Sequence, residues 1–149
     1  MSREIATEIE IDGPAQRVWA VLVDFAAYPL WNPFLLKVEG APERGARIRF
    51  RFELPRGFRA PACATVTAAR RGRELRWAGG LPGLFRAEHY FLIEPVGTAR
   101  TRFRHGENFS GALVPLVWPV LRRGGREVYE AMNVALKERV ERSAWHDRV

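Results

Sequence analysis

Apolar and polar residues alternate along most of this chain. The alternation breaks where prolines and glycines gather, and gives way near the end to a three- and four-residue rhythm. Residues 4–11 put Ile5, Thr7, Ile9 and Ile11 on one face and Glu4, Glu8 and Glu10 on the other, the pattern of a half-buried strand. Asp12-Gly13-Pro14 ends that strand and opens a helix with Pro14 at its first position. Val18, Trp19, Leu22 and Val23 form its apolar side, and Asp24 is placed to cap a second short turn through Tyr28. The stretch from Tyr28 to Phe34 cannot be regular helix throughout, because Pro29 and Pro33 each restrict the residue before them. It is expected to wedge its aromatic side chains under one end of a sheet.

Strands then follow in quick succession. Residues 34–39 form one, and residues 46–54 a clearer one, with Ile48, Phe50, Phe52 and Leu54 inward and Arg47, Arg49, Arg51 and Glu53 outward. Residues 61–70 carry Ala62, Ala64, Val66 and Ala68 on one face, and residues 73–79 carry Leu75 and Trp77. After a turn at Gly79–Gly83, residues 84–94 align Phe85, Ala87, His89, Phe91 and Ile93. After a second turn at Pro95-Val96-Gly97, residues 98–109 set Phe103, His105, Glu107 and Phe109 against Arg100, Arg102 and Arg104. Short turns between neighbours predict an antiparallel meander.

From about Pro115 to Arg142 the period changes. Val117, Leu121, Gly124, Val128, Ala131 and Ala135, widened by Met132 and Leu136, trace one side of a long amphipathic helix. Pro115 and Pro119 place its regular start near Pro119, and Gly124-Gly125 predicts either a kink or a close approach of the backbone to the sheet. One long helix and one large sheet must bury their apolar faces against each other. The expected fold is α+β: a curved antiparallel sheet of about seven strands around a long C-terminal helix, with two short helices after the first strand.

Composition changes this picture little. The 149 residues suffice for one domain, 1–149, and 47% hydrophobic content fits a globular chain. No apolar run reaches the ~20 residues of a spanning helix, no signal peptide is visible at the start, and Cys63, the single cysteine, allows no intrachain disulfide; these points favour the cytoplasm. The net charge of +7 raises the question of nucleic acid or an anionic membrane surface. The basic residues, all arginine except Lys37 and Lys137, are spread along the chain rather than clustered. A solvated outer sheet face is the preferred account, nucleic acid is disfavoured, and peripheral contact with an anionic membrane stays open.

The inner face mixes large aromatics (Phe50, Phe52, Trp77, Phe85, Phe91, Phe103, Phe109) with Ala62, Ala64 and Ala87, a combination that either interlocks or leaves a cavity. His89, His105 and Glu107 share the inward parity. A regular hairpin about the 95–97 turn sets His105 opposite Ala87 and His89 opposite Phe103, bringing two histidines and a carboxylate within ~8 Å on one face. Three roles are open to them: a general acid/base set, contacts to a ligand's polar end, or polar core residues satisfied by each other, by Tyr90 or by Asn108. Their spacing resembles no metal-ligand motif, and Cys63 reads as structural. No phosphate loop, nucleophile elbow or zinc signature is present, and no cofactor is called for.

The order of elements, the run Pro14-Ala15-Gln16-Arg17-Val18-Trp19, the segment Tyr28-Pro29-Leu30-Trp31-Asn32-Pro33 and the stretch Gly106-Glu107-Asn108-Phe109-Ser110-Gly111 resemble the START-like, or SRPBCC, superfamily. That group includes polyketide cyclase/dehydrase-like proteins, birch-pollen allergen proteins and lipid-transfer START domains. The resemblance implies a helix-grip fold with a deep cavity for an apolar or amphipathic small molecule, and carries over no catalytic residue. The leading expectation is a carrier or sensor of such a molecule, contacted by Phe50, Phe52, Trp77, Phe85, His89, Phe91, Phe103, His105, Glu107, Trp118, Val128 and Met132. The alternative is a polyketide cyclase/dehydratase-type enzyme using His89, His105, Glu107 or Tyr90 for proton transfer. A third is an interaction module built on the outward arginines of residues 47–51 and 100–104. The chain is expected to act as a monomer or homodimer, a dimer being favoured if Trp31, Phe34 or Trp145 is exposed.

Overall fold

β1 (Ser2–Ile11) leads through α1 (Ala15–Val23), a 3-10 turn and the one-turn α2 (Tyr28–Trp31) into a run of strands. These are β2 (Leu35–Glu39), β3 (Arg47–Glu53), β4 (Arg59–Arg70), β5 (Glu74–Leu81), β6 (Phe85–Val96) and β7 (Arg100–Ser110), followed by α3 (Val114–His146). The coordinates are a computed structural model describing residues 2–146, with side chains over residues 3–142, so Trp145 lies outside the described side chains. The strands form one antiparallel sheet in the order β1-β7-β6-β5-β4-β3-β2. The meander from β2 to β7 is thus closed by β1, and α3 lies across the concave face. This is the α+β helix-grip architecture that the alternation predicts. Register shifts between Leu35 and Lys37 and between Val66 and Ala68 increase the local twist and help the sheet curl.

The core forms where the two periodicities meet. Ile5, Ile11, Ile48, Val66, Leu75, Phe91 and Phe103 from the sheet are buried with Val114, Val128, Met132, Leu136 and Val140 from α3. Val18 and Leu22 of α1 close one end, and the Tyr28 hydroxyl donates to the Leu22 carbonyl. Asn32 accepts the N–H groups of Phe34 and Leu35 at 3.0 and 2.9 Å, turning the chain out of α2 and sending Phe34 inward, where it is buried.

Four local expectations need correction. The β6–β7 hairpin closes at Val96 and Arg100, because Gly97, at φ +72°, is the first loop residue rather than the last. His89 therefore faces Glu107 and His105 faces Phe91. Gly79, Gly80 and Leu81 continue β5 instead of turning. The helix begins at Val114, with Pro115 and Pro119 both on its exposed side. Ala131 is exposed; the buried side of α3 runs through Val128, Tyr129, Met132, Asn133, Leu136 and Val140.

The outer face of the sheet is a lattice of ion pairs. Arg100, Arg102 and Arg104 pair with Glu8, Glu10 and Glu94, and Arg76 with Glu74 and Glu88. On the helix side of β1, Arg126 donates to the Ala6 carbonyl at 3.2 Å.

The glycine pair in α3 leaves the helix unbroken, and the two residues serve different ends. A Cβ on Gly125 would stand 2.6 Å from Cδ1 of Ile5, so the helix presses on β1 there. A Cβ on Gly124 would meet only Pro55, at 3.7 Å. Gly124→Ala is expected to raise the unfolding free energy by about 0.5–1 kcal/mol through helix propensity. Gly125→Val should lower it by about 1–3 kcal/mol through overpacking. Urea denaturation of the two variants checks this, and shifts of the same sign would refute the distinction.

Candidate functional site

Over part of the concave face the side chains of the sheet and α3 do not meet, and a cavity of about 1110 Å³ remains, room for a drug-sized ligand. Phe34, Phe50, Phe52, Trp77, Phe85 and Phe109 provide much of its wall, with Leu121 and Val128 from the helix. The space arises where Ala62, Ala64, Gly79 and Ala87 on the sheet lie across from Gly124 on α3, small residues on both sides of one gap. Of the residues expected to contact a ligand, Phe50, Phe52, Trp77, Phe85, His89, Glu107 and Val128 line the cavity. Phe91, Phe103, His105, Trp118 and Met132 do not. Phe91 and Phe103 stack on each other at 6.0 Å within the core, His105 and Met132 are fully buried, and Trp118 packs edge-on against Phe109.

The floor of the cavity is polar and built from four elements. His89 of β6 has its Nε2 2.6 Å from Nε2 of His105 on β7. Nδ1 of His105 lies 2.9 Å from Oδ1 of Asn133 on α3. Asn133 Nδ2 donates to Thr7 Oγ1 of β1 at 2.8 Å, and Thr7 donates to the His105 carbonyl at 2.6 Å. At the other end, Nδ1 of His89 lies 3.5 Å from a Glu107 oxygen, and the Tyr129 hydroxyl of α3 donates to the second Glu107 oxygen. Trp77 stacks on His89 at 5.6 Å and Phe34 at 5.9 Å, walling the imidazole into an aromatic box.

Hydrogen-bond direction can be followed along this row. A carbonyl only accepts, so the Thr7 hydroxyl must give its proton to the His105 carbonyl and accept from the Asn133 amide. The Asn133 oxygen then faces His105 Nδ1, which carries a proton. Burial, aided by the neighbouring His89, holds the His105 pKa well below the usual histidine value, so His105 is neutral and its Nε2 bare. His89 must therefore supply the proton between the two Nε2 atoms. At its other end the His89 imidazole faces the Glu107 carboxyl across 3.5 Å. Tyr129 stays protonated, its pKa pushed up by burial and then by the Glu107 charge. The groups open to the cavity are thus the Glu107 carboxyl, the Tyr129 phenol that donates to it and the edge of the His89 imidazole.

Tyr90 and Asn108, the partners expected from the sequence, lie on the opposite side of the sheet. Tyr90 crosses over Gly106, donates to Glu4 at 2.9 Å and is covered by the Arg76 guanidinium. The residues that fill those two roles, Tyr129 and Asn133, come from the helix. Their spacing was the available signal: Gly125, Tyr129 and Asn133 recur every fourth residue beside the apolar row of Val128, Met132 and Leu136.

A titration follows from the buried histidine. The unfolded chain takes up a proton near pH 6.5 that folded His105 refuses, so its contribution to stability is complete above that pH and is lost as pH falls. As pH falls below 6.5 the unfolding free energy should decline, with this group adding at most ~1.4 kcal/mol per pH unit to the slope. His105→Phe should flatten the slope, measured by urea titration at several pH values. A variant with the wild-type slope would assign the titration to another group.

A sequence profile described as polyketide cyclase/dehydrase and lipid transport matches residues 2–141. Comparison with curated protein sequences found no match. Among solved structures, a START superfamily protein from Mycobacterium smegmatis superposes with a TM-score of 0.75 at 22% identity, covering 93% of this chain and 97% of that one. The aromatase/cyclase Zhui from Streptomyces sp. R1128 gives 0.69 at 17% identity, covering 97% and 96%. Norcoclaurine synthase from Thalictrum flavum, a point mutant in complex with a transition-state analogue, gives 0.70 at 16%, covering 97% of each chain. These likenesses speak to the fold alone. With the profile match spanning nearly every residue of the sheet and most of α3, the chain belongs to the polyketide cyclase/dehydrase and lipid transport family of START-like proteins, with their ligand-binding helix-grip fold.

Proposed function

We propose that this protein binds a hydrophobic or amphipathic small molecule between sheet and helix, as a carrier or sensor. The observation that carries this reading is the cavity of about 1110 Å³, with aromatic walls running between a polar floor and a polar mouth. Such a space suits a ligand whose body is apolar and whose orientation is set by a few polar contacts. Mass spectrometry of the freshly purified protein, first native and then denatured, tests it. A small molecule at near-stoichiometric amount is the expected result. Ala62→Trp, which fills the cavity from β4, should release that molecule while the far-ultraviolet circular dichroism stays unchanged. An empty protein whose uptake of a hydrophobic dye is the same with and without Ala62→Trp would end the proposal.

A second reading, a cyclase or dehydratase, is favoured by one observation: a carboxyl, an imidazole and a phenol, those of Glu107, His89 and Tyr129, meet at the cavity wall. In a dehydration Glu107 would take the proton from the carbon beside the carbonyl, while Tyr129, turning its hydroxyl from Glu107 to the substrate, would protonate the departing β-hydroxyl. Water leaves as the C=C bond forms, and the proton on Glu107 returns to Tyr129. With an aromatic β-hydroxy ketone as probe, Glu107→Gln and Tyr129→Phe should each lower turnover by about a hundredfold or more while leaving affinity within a few-fold. A pure carrier would show the reverse, with affinity changed and no turnover to lose.

A further inference from the structure

We propose that the ligand is an amphiphile with a carboxylate head, held at the cavity mouth by Arg56 and Arg123 while its apolar body lies inside. This rests on the cavity being a ligand site. Both arginines line the cavity. Arg56 sits in the turn between β3 and β4, and Arg123 precedes Gly124, whose Cα side faces Pro55 of that same turn. The helix and the turn therefore bring two guanidinium groups to one rim. Arg56 takes φ 71°, the only non-glycine residue with positive φ among the described residues. A side chain in that conformation is disfavoured and persists only where its surroundings impose it.

Charge then decides which way round the ligand lies. The arginines of the outer sheet face are largely engaged with glutamates, whereas Arg56 and Arg123 have no ion pair or hydrogen bond among the described residues. Glu127 also lines the rim, one turn along α3 from Arg123, and leaves an excess of positive charge there. At the floor the situation is reversed. The Tyr129 hydroxyl is already given to Glu107, so the floor offers a carboxylate head no free donor. An anionic head is excluded from the floor and attracted to the mouth, where paired guanidinium donors suit a carboxylate. Phe58 and Val120 stand beside the arginines, 62% and 76% exposed. The outermost part of an apolar body would cover them.

The test is a matched pair of probes, dodecanoate and dodecanol, binding measured by displacement of an uncharged fluorescent dye. Wild-type protein should hold dodecanoate about tenfold tighter than dodecanol or more. The double variant Arg56→Gln/Arg123→Gln should lose that preference and keep its dodecanol affinity within about twofold, with its melting temperature as the folding control. Equal binding of the two probes by wild type, or a preference that survives the double variant, overturns the proposal. If dodecanol binds and Ala62→Trp abolishes it, the cavity reading stands even when the head-group proposal falls; if neither probe binds, both fall. Bilayer phosphate is the other source of an anionic head. Sedimentation with phosphatidylglycerol vesicles, but not phosphatidylcholine vesicles, lost in the double variant while free dodecanoate shows no preference, would assign the arginines to a membrane surface and overturn the proposal.

Discussion

The buried polar row from Thr7 through Asn133, His105, His89 and Glu107 to Tyr129 is the constraint on which the rest of this structure depends. Leaving a buried donor or acceptor without a partner costs about 1–3 kcal/mol, and this row joins β1, β7, β6 and α3 through such groups. Apolar contacts alone would let the helix slide or rotate on the concave face with little penalty. The row forbids it, because a one-residue shift of α3 would strand the Asn133 amide and the Tyr129 hydroxyl together. Fold and site are thus fixed by the same atoms: the bonds that set the helix on the sheet also orient the His89 ring and hold the Glu107 carboxyl at the cavity floor.

The strands were legible because alternation is a local property. Each of the seven predicted strands lies within a few residues of its place, and His89, His105 and Glu107 share one face as their alternation requires. The hairpin register was not. A glycine in a short loop can be the first or the last loop residue, and Gly97 is the first. The shift was even, so the three side chains stayed on one face while their neighbours changed. Tyr129 and Asn133 escaped for a different reason. A polar residue beside an apolar helical row looks like the row's border, and only the partner waiting on the sheet makes it interior.

Cavity and core are harder to separate in a sequence than inside and outside. Phe91 and Phe103 share parity with Phe85 and Phe109, yet the first two stack in the core and the others face open space. What divides them is position along the sheet relative to α3. Where β1 and α3 are drawn together at Gly125 the side chains interlock. Where the sheet curls away toward β3 and β4, alanines and glycines leave the gap unfilled. That distance is a property of curvature, to which residues far apart in the chain contribute jointly.

Arg126 offers a last consequence. β1 is an outermost strand of the sheet, and an outermost strand bares main-chain groups to which a foreign strand can add. The guanidinium of Arg126 already occupies the Ala6 carbonyl. At the opposite margin β2 has five residues and an irregular register. The β2 margin is thus too short and irregular to serve as a template, and on the longer β1 margin the helical arginine takes up an acceptor that an added strand would need at Ala6.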